Sequence, residues 1–178
     1  MPLLPPSLRW HFLGHLQRNK LRQAVPLFEL FHGIDSLHIA SELDRISAET
    51  GHFPKVLLEV NVAGEASKFG FRGEVLEREM EALMALPRLE VLGLMAIPPA
   101  GEEPEDSRPY FEKLRLTRDR LEHTFGVRLP ELSMGMSGDF EVAVEEGATW
   151  VRVGTALFGE RAGRQWRPAD SDFLDVSA

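Results

Sequence analysis

The sequence predicts an α/β fold of (β/α) barrel type, incomplete, with about six units where a full barrel has eight. Three observations predict it. Apolar runs alternate with helically spaced segments along the whole chain. Several runs are short and rich in Val, Leu or Ile, the pattern of parallel strands joined by crossover helices. The last two runs each end in a small, polar, glycine-bearing turn, which is where a barrel places its phosphate site. A doubly wound sheet fits the alternation as well, and the two turns favour the barrel. A full barrel takes about 250 residues, whereas this chain has 178 and its first strand-like run begins at Trp10. The expectation is therefore a shortened sequence lacking the first two units, with residues 1–7 as joining material.

Taken in order, the strand-like runs are 10–13, 27–31, 56–62, 91–97, 129–134 and 150–158. His11 and His15 have i, i+4 spacing but fall on a strand-like run without a nearby carboxylate, so they are not read as zinc ligands. Asp35 and Ser36 follow the second run. Leu37, Ala40, Leu43 and Ile46 then share a helix face, with Ser36 as N-cap and Gly51 as the stop. Asn61 closes the third run, and residues 64–70 read as a surface loop whose candidate cation is Lys68. Leu76, Met80, Leu83 and Leu86 make the next helical stripe, ended by Pro87. Met95 lies near the end of the fourth run. Phe111, Leu114, Leu121 and Phe125 form a third stripe, stopped by Gly126. The fifth run leads into Ser133-Met134-Gly135-Met136-Ser137-Gly138-Asp139, and the sixth carries Arg152-Val153-Gly154-Thr155.

Composition narrows the function. Net charge is −8, so a nucleic-acid footprint is not expected, because phosphate-backbone binding needs a basic face. Arg115, Arg118 and Arg120 stand beside Glu112, Asp119 and Glu122 and read as a solvated helix face. Cysteine is absent, which removes disulfides, thiolate metal sites and thiol nucleophiles together. No apolar run approaches a membrane span and the first residues do not read as a signal peptide, so a cytoplasmic protein is expected.

In parallel α/β folds the working residues sit at the C-terminal ends of strands. Ser137, Gly154 and Thr155 lie there and could aim hydroxyls and backbone N–H groups at one phosphate. The alternative for Ser137 is a simple helix cap. Arg152, inside the last strand, needs an anionic or acceptor partner at the barrel centre, since a buried guanidinium without one is costly. Asn61 is either a ligand contact or a loop hydrogen bond. Tyr110, at a helix start away from the strand ends, is given no catalytic role.

Together these segments resemble the pyridoxal-phosphate homeostasis protein family, relatives of the alanine racemase N-terminal barrel. The stretches that carry the resemblance are Trp10-His11-Phe12-Leu13-Gly14-His15-Leu16-Gln17-Arg18-Asn19-Lys20, Val60-Asn61-Val62, Glu65-Ala66-Ser67-Lys68-Phe69-Gly70, Gly93-Leu94-Met95, Arg108-Pro109-Tyr110-Phe111, Ser133 to Asp139, and Val151 to Arg161. The resemblance implies a barrel over residues 1–161, with 162–178 as a variable tail, that binds pyridoxal 5′-phosphate at its C-terminal mouth. Ser137, Gly154 and Thr155 would take the phosphate, Arg152 would face the pyridine nitrogen, and Asn61 and Met95 would sit near the ring. The family's Schiff-base lysine lies upstream of the Trp-His-Phe segment. None of Lys20, Lys55, Lys68 and Lys113 matches it, so affinity would rest on phosphate and ring contacts alone and weak binding is expected. The implied role is cofactor binding without turnover, as a monomer in the family, with self-association through open sheet edges possible here. The enzyme alternatives are an amino-acid racemase, which would need a further β-domain and a catalytic tyrosine, and a barrel enzyme for another phosphorylated metabolite with Asp35 or His15 as base. A fragment that has lost cofactor binding is the remaining reading.

Overall fold

Six strands, each parallel to its neighbour, follow one another across a single sheet in chain order. They are β1 (His11–Phe12), β2 (Leu30–Ile34), β3 (Lys55–Glu59), β4 (Glu90–Met95), β5 (Glu131–Met136) and β6 (Trp150–Arg152). The helices are α1 (Leu21–Ala24), α2 (Leu37–Thr50), α3 (Gly73–Met84), α4 (Arg108–Phe125), α5 (Phe140–Glu145) and α6 (Thr155–Phe158), with short 3-10 turns at Arg18–Lys20 and Pro104–Ser107. This structure, a computed structural model, describes residues 7–65 and 68–159. The joining segment before Ser7 and the tail expected at 162–178 lie outside the described residues.

Strand order that never reverses, with right-handed crossovers, puts every helix on one face of the sheet. That separates the barrel from the doubly wound alternative, whose order reverses at a switch point. The sheet is strongly curled. In a flat sheet, strands three places apart lie about 14 Å from one another. Here His32 on β2 and Ser133 on β5 approach to 2.8 Å. The rings of His11 on β1 and Trp150 on β6, the two outermost strands, are 4.9 Å apart between centroids. Six units therefore form a tight arc with a lined interior.

The core lies between the sheet's outer face and the helices. Phe31, Val56, Leu58, Leu94, Leu132 and Met134 from the strands meet Leu43, Leu76, Met80, Phe111 and Leu114 from the helices, all fully buried. A second, smaller apolar layer of Leu30, Leu57 and Met95, with Leu92 and Trp150 against it, fills the floor of the interior. The helical stripes read from the sequence supply the inward faces, except that α3 ends at Met84 and Leu86, expected on its stripe, packs against the core from beyond the helix. Ser36 accepts from the Ile39 N–H at the start of α2, and Gly51 and Gly126 end α2 and α4 with φ of 73° and 65°. No helix among the described residues is long and apolar enough to cross a membrane.

Three strand expectations need correction. The run 56–62 is a strand only to Glu59, after which Asn61 holds a turn. The run 27–31 is a strand only from Leu30, because the N–H groups of Leu27 and Phe28 turn back onto the Ala24 carbonyl after α1. The strand then continues through His32, whose polarity hid it in the sequence. The run 150–158 is a strand only to Arg152, and Thr155–Phe158 winds into α6 instead.

Candidate functional site

The C-terminal ends of β5 and β6 meet at the interior edge of the arc. Gly135 makes that meeting possible. Its φ of +90° bends the end of β5, and a Cβ there would stand 2.5 Å from the Ala143 Cβ, so only glycine lets α5 pack this closely. Beyond the bend, Asp139 accepts from the Met136 N–H through Oδ1 at 2.7 Å and from the Ser107 hydroxyl through Oδ2 at 2.8 Å. These bonds pin the turn that presents Ser137. The Ser137 Oγ accepts from the Gly154 N–H at 3.1 Å and from the Ala156 N–H at 3.3 Å. A hydroxyl and two main-chain donors from separate strand ends therefore share one point, with Gly154 and Thr155 exposed at the mouth.

Behind this point sits Arg152. Its Nη1 donates to the Ser133 carbonyl at 2.9 Å and to the Ser133 hydroxyl at 2.7 Å, and its Nη2 donates to the Ala96 carbonyl at 3.0 Å. The partners sought in the sequence are thus neutral acceptors. Burial moves the Arg152 pKa down from the usual guanidinium range, opposed by the more distant Asp139 and Glu59 carboxylates. The interior thereby holds a positive group with neutral hydrogen-bond partners, ready to face an acceptor or anion.

Sequence reasoning missed the rest of the polar interior. His32 is buried, with Nδ1 2.8 Å from the Ser133 Oγ and Nε2 3.1 Å from the His11 Nδ1. Desolvation, with His11 and Arg152 adding to it, pushes its pKa down to about 4. Burial also pushes the Glu59 carboxyl above its usual range, assisted by the nearby Asp35. The available signal was alternation: His32, Glu59, Ser133 and Arg152 take inward positions between outward apolar residues, so a polar inner face was written into the strands.

The other candidates separate. Asn61 takes the loop role: its Nδ2 donates to the Glu65 carbonyl at 2.7 Å and to the Lys68 carbonyl at 3.3 Å, and its Oδ1 accepts from the Gly64 N–H at 2.9 Å. Met95 is packed in the apolar floor. His15 does have a carboxylate neighbour, contrary to expectation, with Nδ1 2.9 Å from the Asp35 Oδ2 and its ring stacked on Phe69. It lies past the end of β1, where the loop reaches across to the end of β2. No group of three or more His, Cys, Asp or Glu among the described residues is arranged to hold a metal. Lys113 donates to the Val62 carbonyl, Lys55 lies beside Glu29 at the start of β3, and Lys68 lies beside Glu65.

Residues 5–162 match the family described as alanine racemase, N-terminal domain. A protein of Aquifex aeolicus (strain VF5) named pyridoxal phosphate homeostasis protein is 51% identical over 155 residues, covering 87% of this chain and 68% of that one. PipY of Synechococcus elongatus PCC7942, solved with PLP bound, is 42% identical with a TM-score of 0.80, covering 86% of this chain and 72% of that one. Alanine racemase of Clostridium difficile 630 in complex with cycloserine shares the fold at 16% identity, with a TM-score of 0.72 over 88% of this chain and 43% of the racemase.

Proposed function

The chain belongs to the alanine racemase N-terminal domain family and, within it, to the pyridoxal phosphate homeostasis proteins; from that membership we propose that it binds pyridoxal 5′-phosphate at the C-terminal mouth of its arc and serves cofactor homeostasis without turning over a substrate. The observation that carries the reading is the convergence of the Gly154 and Ala156 N–H groups on the Ser137 hydroxyl. The two main-chain donors and the hydroxyl can turn to one phosphate oxygen each, and Thr155 adds a hydroxyl at the same turn.

The residues fit the rest of the ligand in charge and polarity. Arg152 presents a guanidinium held by neutral acceptors, suited to the unprotonated pyridine nitrogen. Asn61 and Met95 flank the ring's place, Asn61 by ordering the 62–65 turn and Met95 from the floor. Bound pyridoxal phosphate acts as an electron sink for carbanions when its ring nitrogen is protonated. A fixed cation opposite that nitrogen opposes its protonation, which supports storage or delivery over turnover. In this reading the ligand is held by phosphate and ring contacts without a covalent link to Lys20, Lys55, Lys68 or Lys113. The placement of Lys55 and Lys113, each engaged away from the phosphate turns, supports that. The setting is the cytoplasm, and the edges of β1 and β6 that are unpaired among the described residues give copies of the chain a route to associate.

The test is a set of equilibrium titrations with pyridoxal 5′-phosphate, pyridoxal and a sugar phosphate. Saturable binding of the first, much tighter than the other two, is expected. Borohydride reduction and peptide mapping should leave all four lysines unmodified. Tighter binding of the sugar phosphate would move the assignment to another phosphorylated metabolite, and absence of saturable binding to all three would remove it.

A further inference from the structure

The interior face holds a chain of polar side chains that runs between opposite sides of the arc. Arg152 can only donate, so the Ser133 Oγ, 2.7 Å from its Nη1, is an acceptor there. Ser133 is fully buried, and the other partner of its hydroxyl is the His32 Nδ1 at 2.8 Å. A proton on that Nδ1 would leave the hydroxyl hydrogen of Ser133 without an acceptor, which is costly in a buried site. The hydroxyl therefore donates to His32, and Nδ1 is unprotonated. His32 then carries its proton on Nε2 and donates to the His11 Nδ1 at 3.1 Å. His11 in turn keeps its own proton on Nε2. One donor direction runs through the whole chain, and both imidazoles are neutral.

We propose that Ser133 and His32 are positioning residues for Arg152, forming with His11 a directional relay that fixes the guanidinium where the ligand ring is read and keeps it as the cation of that site. The proposal rests on the assignment of Arg152 to the pyridoxal-phosphate ring. The groups facing His32 are consistent with it: His11 from β1, Ser133 from β5, and Trp150 and Arg152 from β6. Each is neutral or positive in this arrangement, so nothing that faces the ring favours a second proton. Glu29 and Arg9 act on His11 with opposite signs. Glu59 from β3 acts on Arg152 and on His15, and is not among the charges acting on His11 or His32. The relay also ties β1 and β2 to β5 and β6 across the interior. Arg152 is thereby set by residues that a ligand at the mouth need never touch.

The first test uses the unaltered chain without ligand. Nitrogen-15 NMR of the histidines should give His32 in the Nε2–H form with an accepting Nδ1, unchanged from about pH 8 to about pH 5.5. A proton on Nδ1, or titration of His32 within that range, would overturn the relay whether or not the chain binds pyridoxal phosphate. The second test compares Ser133→Ala with Ser133→Thr. Ser133→Ala should release the His32 tautomer, weaken pyridoxal-phosphate binding about tenfold and shift the absorption band of the bound ligand, while Ser133→Thr restores all three. A Ser133→Ala chain with the parent's binding and band would overturn the positioning role. Loss of pyridoxal-phosphate binding in the parent itself would instead remove the functional assignment, leaving the hydrogen-bond chain to be judged by the NMR result.

Discussion

Arg152 and Ser137 can be separated by single substitutions, because one is held from behind by neutral acceptors and the other stands at the mouth. A hydrogen bond to a charged group contributes about 1.5–3 kcal/mol, or roughly ten- to a hundredfold in affinity. Ser137→Ala should weaken pyridoxal-phosphate binding about tenfold, and Arg152→Ala by more, with both chains still giving the parent's circular dichroism spectrum. His32 makes a different prediction. Its pKa falls from 6.5 to about 4 on folding. The unfolded chain therefore takes up a proton in that window that the folded chain refuses, and stability drops as pH falls from about 6.5 towards 4. The loss is on the order of 3 kcal/mol, and urea melts of the parent and of His32→Gln across that range would measure it. At this scale the sequence was only partly legible. Ser137, Gly154 and Thr155 stood out because strand-end turns have a recognisable composition. His32, Ser133 and Glu59 did not, because a polar residue inside a strand signals a break until its partners on other strands are known.

Elements were easier to read than residues. α2 begins and ends, and α4 ends, where cap and stop residues put them, since Ser36, Gly51 and Gly126 act through local backbone geometry alone. Strand limits were less accurate where tertiary contacts decided them, as at β2 and β6. The junction of β5 and α5 offers the sharpest test of how an element positions the site. Gly135→Ala forces a side chain into the left-handed region and against Ala143, at a cost of about 2–4 kcal/mol. Gly138, three residues on, has open space around its Cβ position and no positive φ. Gly138→Ala should therefore cost under about 1 kcal/mol. Denaturant midpoints for the two variants should differ in that order, and equal midpoints would mean that the close packing of α5 on β5 does not position the turn.

At the scale of the whole molecule, the barrel class followed from the alternation and the two terminal turns, but the curl of the sheet did not. It depends on contacts such as His32 to Ser133 and His11 to Trp150, which no local pattern announces. Among the described residues, β1 and β6 each pair on one side only, and Leu13, Val151, Leu157 and Phe158 are exposed near them. Unpaired strand edges beside apolar surface favour association. Sedimentation velocity should show mass rising with concentration, and Leu157→Ser combined with Phe158→Ser should reduce it. A concentration-independent monomer would show that these edges are protected in solution.

Whether pyridoxal phosphate sits with its phosphate between the ends of β5 and β6 is best read by amide NMR during a titration with that ligand. Saturable shifts should concentrate on the Gly154 and Ala156 amides, with the Arg152 side-chain resonances moving in step. Shifts confined to another surface, or none at saturating ligand, would contradict that placement.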